Sequence, residues 1–256
     1  MPRIGVIVLL VGAIGPGAVV VQAADTREPK RLTSAAQIKV AQRFARSREG
    51  VVAFAVLDAR GTRVRGLRRT TRFRSASVVK AMMLVSVLRR ASKRSLSATE
   101  RRRLRPMITR SDNAAASAVY AEIGPHGLRR VARVAGMRKF TPAGPWGVSQ
   151  ITAADQVRFF LRIDQLVPRA HRRYARKLLS SITKEQRWGI APVARRKNLK
   201  AFFKGGWVTS ITHQVALLER RRDGQRIAIA VLTKNSPSMA YGEQTIEGIA
   251  ARLVRR

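Results

Sequence analysis

Cysteine is absent from all 256 positions, which excludes disulfides, thiolate metal sites, thiol nucleophiles and redox motifs in any compartment. Histidine is almost absent too. The three present, His126, His171 and His213, lie far apart and never take a metal-ligand spacing such as H-x-x-x-H, so neither a metal nor another cofactor is expected. Acidic residues are scarce, 14 against 52 Lys and Arg, giving a net charge of +38. Between Gly124 and Ala154 there is no acidic residue at all. Aromatic residues make up only 5% of the chain, too few to interleave with the basic ones as stacking platforms. The arginines are spread from Arg31 to Arg256 rather than gathered in one stripe, which argues against a specific nucleic-acid reader. Such a charge suits an anionic wall polymer or membrane surface, or simply a solvated basic exterior.

What is present is an ordinary globular apolar content, 45% of residues, enough for one domain of enzyme size with a core of its own. Residues 1–24 stand apart: Arg3 is their only charge, the run from Ile4 to Val21 is apolar, and Val21-Gln22-Ala23-Ala24 offers small residues for a signal peptidase. They read as a secretory signal placing the protein in the extracytoplasmic bacterial envelope. The alternative, an uncleaved anchor, is weakened by Gly12, Gly15, Pro16 and Gly17.

Residues 25–256 are expected to form a single α+β domain, monomeric and three-layered (α/β/α). A helix from Ser34 to Arg46 precedes a hairpin, Val51 to Leu57 and Thr62 to Leu67, turning at Asp58-Ala59-Arg60-Gly61. Ser77 to Arg90 is apolar on most of its surface and reads as a buried helix. Helices follow from the capping box Ser97-Ala98-Thr99-Glu100, from Asn113 to a stop at Gly124-Pro125, from Leu128 to Ala135, from Thr152 to Ile163 and from Pro168 to Ser180. Strands resume at Ala201 to Lys204, His213 to Leu218 and Ile227 to Thr233, before a closing helix from Met239 to Val254. An antiparallel sheet assembled from both ends (about 25–76 and 198–256), flanked by the terminal helices, would face a helical subdomain (about 77–197), with the site in the cleft between them.

Three short motifs occur in order: Ser77-Val78-Val79-Lys80, Ser111-Asp112-Asn113 and Lys204-Gly205-Gly206-Trp207. Order matters more than any one of them, because Ser181-Ile182-Thr183-Lys184 repeats the first pattern with no companion. Ser77 and Lys80 share a helix face. A serine hydroxyl is a weak nucleophile until a base takes its proton, and a lysine serves when burial and a nearby cation, here Lys204, lower its pKa. The competing structural roles are a helix cap for Ser77, Ser111 or Asp112 and an edge-strand charge for Lys204.

With the flanking Phe73-Arg74-Ser75-Ala76 and Met107-Ile108-Thr109-Arg110, these motifs resemble those of the class A serine β-lactamases and the related penicillin-recognising DD-peptidases. The resemblance covers nearly all of residues 25–256 and implies a β-lactamase/transpeptidase-like fold. It implies a secreted serine hydrolase that forms an acyl-Ser77 intermediate on a β-lactam or a D-Ala-D-Ala-type wall peptide. Carried over by position, Lys80 is the base and Ser111 relays the proton. Asn113 contacts the substrate amide, Lys204 holds the electrostatics and attracts a carboxylate, and the backbone of Gly206 and Trp207 completes an oxyanion site with Ser77.

Three departures stand out. The acid-free stretch from Gly124 to Ala154 lacks the glutamate that activates water in class A enzymes, and Gln150 orients water without accepting its proton. Gly205 replaces a hydroxyl residue, leaving Thr209 and His213 as candidate substrate contacts. The first two motifs are close-set, which suggests an open cleft. The alternative from another class is a decayed, strongly basic envelope-binding module.

Overall fold

The computed structural model describes residues 31–255; the expected signal at 1–24 lies outside them. Helix α1 (Ala35–Arg46) is capped by Ser34, whose hydroxyl accepts from Gln37 N, and leads into β1 (Val51–Asp58). Strand β2 (Arg65–Leu67) is shorter than the expected Thr62–Leu67. A two-residue strand β3 (Phe73–Arg74) follows, then a 3₁₀ turn (Ala76–Val79) and α2 (Lys80–Arg90).

The helical middle comprises α3 (Ala98–Thr109), with the full Ser97/Glu100 capping box, and α4 (Asn113–Val134). Gly124, at φ 57 and ψ −175, breaks α4 where the sequence stop falls, and helix resumes at once from Pro125. A proline is well suited to that first position because its missing N–H has no partner there anyway. Strand β4 (Gln150–Ile151), α5 (Ala153–Leu161), α6 (Ile163–Leu166), α7 (Arg172–Ser180) and α8 (Ile190–Arg196) follow. The last elements are β5 (Leu199–Val208), β6 (Ile211–Arg220), β7 (Arg226–Lys234) and α9 (Met239–Leu253).

The main sheet is antiparallel and five-stranded, in the order β2-β1-β7-β6-β5. Helices α1 and α9 pack on each other and on the sheet, and α5 packs against β1, β6 and β7. Covered on both faces, β1, β6 and β7 are buried almost throughout, which is why they read as continuous apolar runs. The small sheet β3–β4 pairs Phe73 with Ile151 and Arg74 with Gln150. It ties the chain entering the first motif to the loop before α5.

Candidate active site

The chain enters the first motif under constraint. Ser75 N donates to Ser149 O at 2.8 Å, and the buried Ser75 hydroxyl lies within 3.1–3.4 Å of the carbonyls of Ala76, Gly147 and Trp146. Ala76 then adopts φ 43, a left-handed conformation costly for a residue with a Cβ. The expected α-helix over Ser77–Arg90 instead begins as a 3₁₀ turn, with Lys80 N donating to Ser77 O. Three residues per turn eclipse positions i and i+3, so Ser77 and Lys80 lie in line rather than merely on one face. From Ser75 to Leu88 every residue is buried except Ser77. The serine is the opening in an otherwise closed segment.

Lys80 and Lys204 are both wholly buried. The Lys80 ammonium donates to Ser111 O at 2.5 Å and to Asn113 Oδ1 at 2.7 Å, with Ser111 Oγ at 3.3 Å. Lys204 Nζ donates to the same Ser111 Oγ at 3.0 Å and to Gly205 O at 2.8 Å. Ser111 itself sits at φ 61 between α3 and α4, a conformation that turns both its carbonyl and its hydroxyl toward the lysines. One hydroxyl is thus shared by two lysine nitrogens. A neutral amine keeps two hydrogens and a lone pair. The two short Lys80 bonds use those hydrogens and leave the lone pair to accept a proton.

Burial brings the Lys80 pKa down to about 8, against an opposing pull from Asp112. Lys204 is lowered well below the usual lysine value, first by burial and then by the charge of Lys80. Burial, one of the two causes expected from the sequence, is thus the main cause for Lys80, and of the two lysines it is Lys204 that is lowered by its neighbour's charge. Asp112 is the N-cap of α4, its Oδ1 accepting from Ala115 N at 2.7 Å.

Strand β5 approaches this cluster through its glycines. A Cβ on Gly206 would stand 2.6 Å from Ser77 N and 2.8 Å from Val78 N, so only glycine lets the strand lie this near the serine's amide. Beside it, Gly205 faces a different neighbour: a Cβ there would meet the Trp188 ring at 3.1 Å. Trp188 packs edge-to-face on Trp207, with ring centroids 6.0 Å apart. Trp146 lies over Lys80 Nζ, 4.8 Å from its ring centroid, and donates its own N–H to Ser117 Oγ at 3.2 Å. No sequence signal marked Trp146 or Trp188 beyond their being rare aromatics.

Of two further expected substrate contacts, one lies away from the cluster, and the other, His213, pairs with Gly206 across the β5–β6 ladder but commits its ring elsewhere. Thr209 is exposed in the β5–β6 turn, three residues past Gly206 and so about 10 Å along the strand. His213 is corrected from a candidate cation to a structural group. It is wholly buried, its Nε2 bonds Arg74 O at 2.9 Å, and its Nδ1 accepts from Thr233 N at 3.1 Å. Burial pushes its pKa down to about 4, so the ring is neutral near pH 7 and offers no charge to a substrate. Gln150, on β4, donates to Val148 O at 2.9 Å, while Asp155 spends its carboxylate on Arg138 N, Lys139 N and Arg158.

A family model described as the Beta-lactamase enzyme family matches residues 102–256, a stretch that holds the second and third motifs. Among solved structures, the β-lactamase from Sphaerobacter thermophilus is 19% identical with a TM-score of 0.74, covering 86% of this chain and 96% of that one. PBP-A is 14% identical with a TM-score of 0.75, covering 88% of this chain and 96% of that one. A PBP-A variant solved as an acyl-enzyme complex with penicillin G is 16% identical with a TM-score of 0.73, covering 84% of this chain and 93% of that one. At such identities the likeness is one of fold. No curated protein sequence matches the chain.

Proposed function

Because the chain belongs to the beta-lactamase enzyme family and is a β-lactamase-like serine hydrolase, we propose that it acylates Ser77 with a β-lactam or a D-Ala-D-Ala-type wall peptide and releases the acyl group slowly. The observation that carries this reading is the Ser111 hydroxyl held between Lys80 and Lys204. Neutral Lys80 takes the Ser77 proton as Oγ attacks the carbonyl carbon. The oxyanion forms beside the N–H groups of Ser77 and Trp207, where fixed dipoles stabilise it. The proton then passes through Ser111 to the leaving nitrogen as the C–N bond breaks, and Lys204 holds that hydroxyl and draws a substrate carboxylate. Asn113 bonds Lys80 through its oxygen and turns its amide nitrogen to the substrate.

Slow release follows from the carboxylate inventory. The stretch from Gly124 to Ala154 holds none, Asp112 is committed to a helix cap, and Gln150 cannot accept a proton from water. The same proposal includes export by the leader and retention at an anionic envelope by the net charge of +38.

The test is intact-mass measurement over time with penicillin G. A long-lived adduct of one penicillin on the wild type is expected, with none on Ser77→Ala and labelling slowed about 10²- to 10⁴-fold in Lys80→Ala. Absence of both adduct and turnover with β-lactams and D-Ala-D-Ala peptides would reject the proposal.

A further inference from the structure

Lys80 has one neighbour that the acylation steps do not use. The Trp146 ring lies over its Nζ, 4.8 Å from the ring centroid. With about 1.7 Å taken by the nitrogen and about as much by the ring, the space between them is roughly 1.4 Å, half the width of a water molecule. The other sides of the nitrogen are occupied too, by Ser111 O at 2.5 Å, Asn113 Oδ1 at 2.7 Å and Ser111 Oγ at 3.3 Å. Lys80 is wholly buried, while Trp146 is half-buried at the boundary with solvent. The indole therefore stands between the base and water.

The loop that carries this ring is seated on α4. Ser117 and Tyr120 follow Asn113 at i+4 and i+7, along one stripe of that helix. Asn113 holds Lys80, Ser117 Oγ accepts from Trp146 Nε1 at 3.2 Å, and the Tyr120 hydroxyl donates to Ala143 O at 2.9 Å. The loop is also closed on itself. Thr141 and Gln150 exchange both backbone hydrogen bonds, at 3.1 and 2.8 Å, and Ala143 N donates to Ser149 Oγ at 3.1 Å. One helix face thus fixes both the lysine and the ring above it.

The consequence concerns release of the acyl group. Once the serine proton has passed to the leaving nitrogen, Lys80 is neutral again and able to take a proton from water. That water must come within about 3 Å of Nζ. We propose that Trp146 is a positioning residue that keeps the hydrolytic water off Lys80, so that the acyl-enzyme lasts because the base that formed it is covered as well as because a carboxylate is missing. With the ring removed, water attacks the acyl carbon while Lys80 takes its proton. The C–Oγ bond then breaks, Lys80 returns the proton to Ser77 Oγ, and the acid departs. The inference rests on acylation at Ser77 and assigns the lifetime of its product to one side chain.

Penicillin G adducts of wild type, Trp146→Ala and Trp146→Phe are freed of excess drug and followed by intact mass. Trp146→Ala should lose its adduct about ten- to a hundredfold faster than wild type, a share of what a positioned base contributes. Trp146→Phe keeps a ring in place and should stay within about threefold of wild type. The rate in Trp146→Ala should rise with pH, because the neutral amine is the base. Its midpoint should lie above the wild-type lysine's value of about 8, because water now solvates the charge. Asp112 and Lys204, the other charged groups that act on Lys80 or feel its charge, are unchanged in the variant. A Trp146→Ala adduct as durable as that of wild type, a phenylalanine variant as labile as the alanine one, or a loss independent of pH overturns the cover. If no adduct forms on any of the three, the acylation reading fails, and the cover is judged by acetic anhydride, read as acetyl-Lys80 by peptide mass. Trp146→Ala should then acetylate at Lys80 at least about tenfold faster than wild type, and equal rates would reject the cover on its own.

Discussion

Removing the Asp112 charge while keeping its cap separates the electrostatics of Lys80 from the fold. Asp112→Asn preserves the bond to Ala115 N, because asparagine caps a helix as well as aspartate does. The carboxylate holds the Lys80 pKa up against burial, at about 8. Without it the charged ammonium loses a favourable neighbour, so the midpoint of acylation must fall below about 8, by about tenfold in the ionisation constant for an opposite charge at short range. At pH 7 the neutral, competent fraction of Lys80 would rise from about 9% to about 50%. A weaker base is also less reactive, by about threefold for a one-unit fall with a Brønsted slope of about 0.5. The two effects oppose each other below the midpoint and leave only the loss above it. The variant should therefore acylate about twice as fast as wild type at pH 7 and about three times more slowly at pH 9, the profiles crossing between. Stopped-flow acylation by a chromogenic β-lactam across this range measures it. Superimposable profiles, or a midpoint displaced to higher pH, would refute Lys80 as the base.

Gly206→Ala forces β5 away from the amides of Ser77 and Val78, so acylation should fall about a hundredfold with the melting temperature little changed; unaltered acylation would mean that the close approach has no catalytic part. For His213, the unfolded ring binds a proton near pH 6.5 and the folded ring only near pH 4, so stability is full above pH 6.5 and is lost as pH falls between them, by up to about 3 kcal/mol. Wild type should lose more stability than His213→Gln between pH 7 and pH 4.5 in thermal melts, and equal losses in the two proteins would contradict the neutral, buried ring.

The three-layer α+β arrangement was readable because its signals are local: capping boxes, the Gly124-Pro125 break and apolar strands at both ends. The ordered motifs likewise pointed to residues that the structure gathers, Lys80, Ser111, Asn113 and Lys204. What escaped depends on distant partners. His213 bonds the carbonyl of Arg74, 139 residues away, and nothing in its strand sequence reveals that its ring points into the core. The pairing of β3 with β4 involves two residues on each strand, too few to form a pattern. Helix α8 is seven residues long with Pro192 inside it, too short and too interrupted to give a periodic apolar pattern. Trp188 follows the stray Ser181–Lys184 pattern, and nothing near it in sequence indicates that its ring fills the space beside Gly205 on β5.

Strand β7 lies between β1 and β6, joining the β1–β2 pair to the β6–β5 hairpin. Every side chain assigned a part in the reaction precedes it, yet without it the strand that carries Lys204 has no ladder to the rest of the sheet. Ser111 and Lys204, 93 residues apart, meet through a strand whose place in the sheet depends on this central one. Contacts of such separation form late and slowly. Hydrolase activity is therefore a report of completed synthesis and folding: a polypeptide halted before Arg226 would possess all of its reacting groups and no active site.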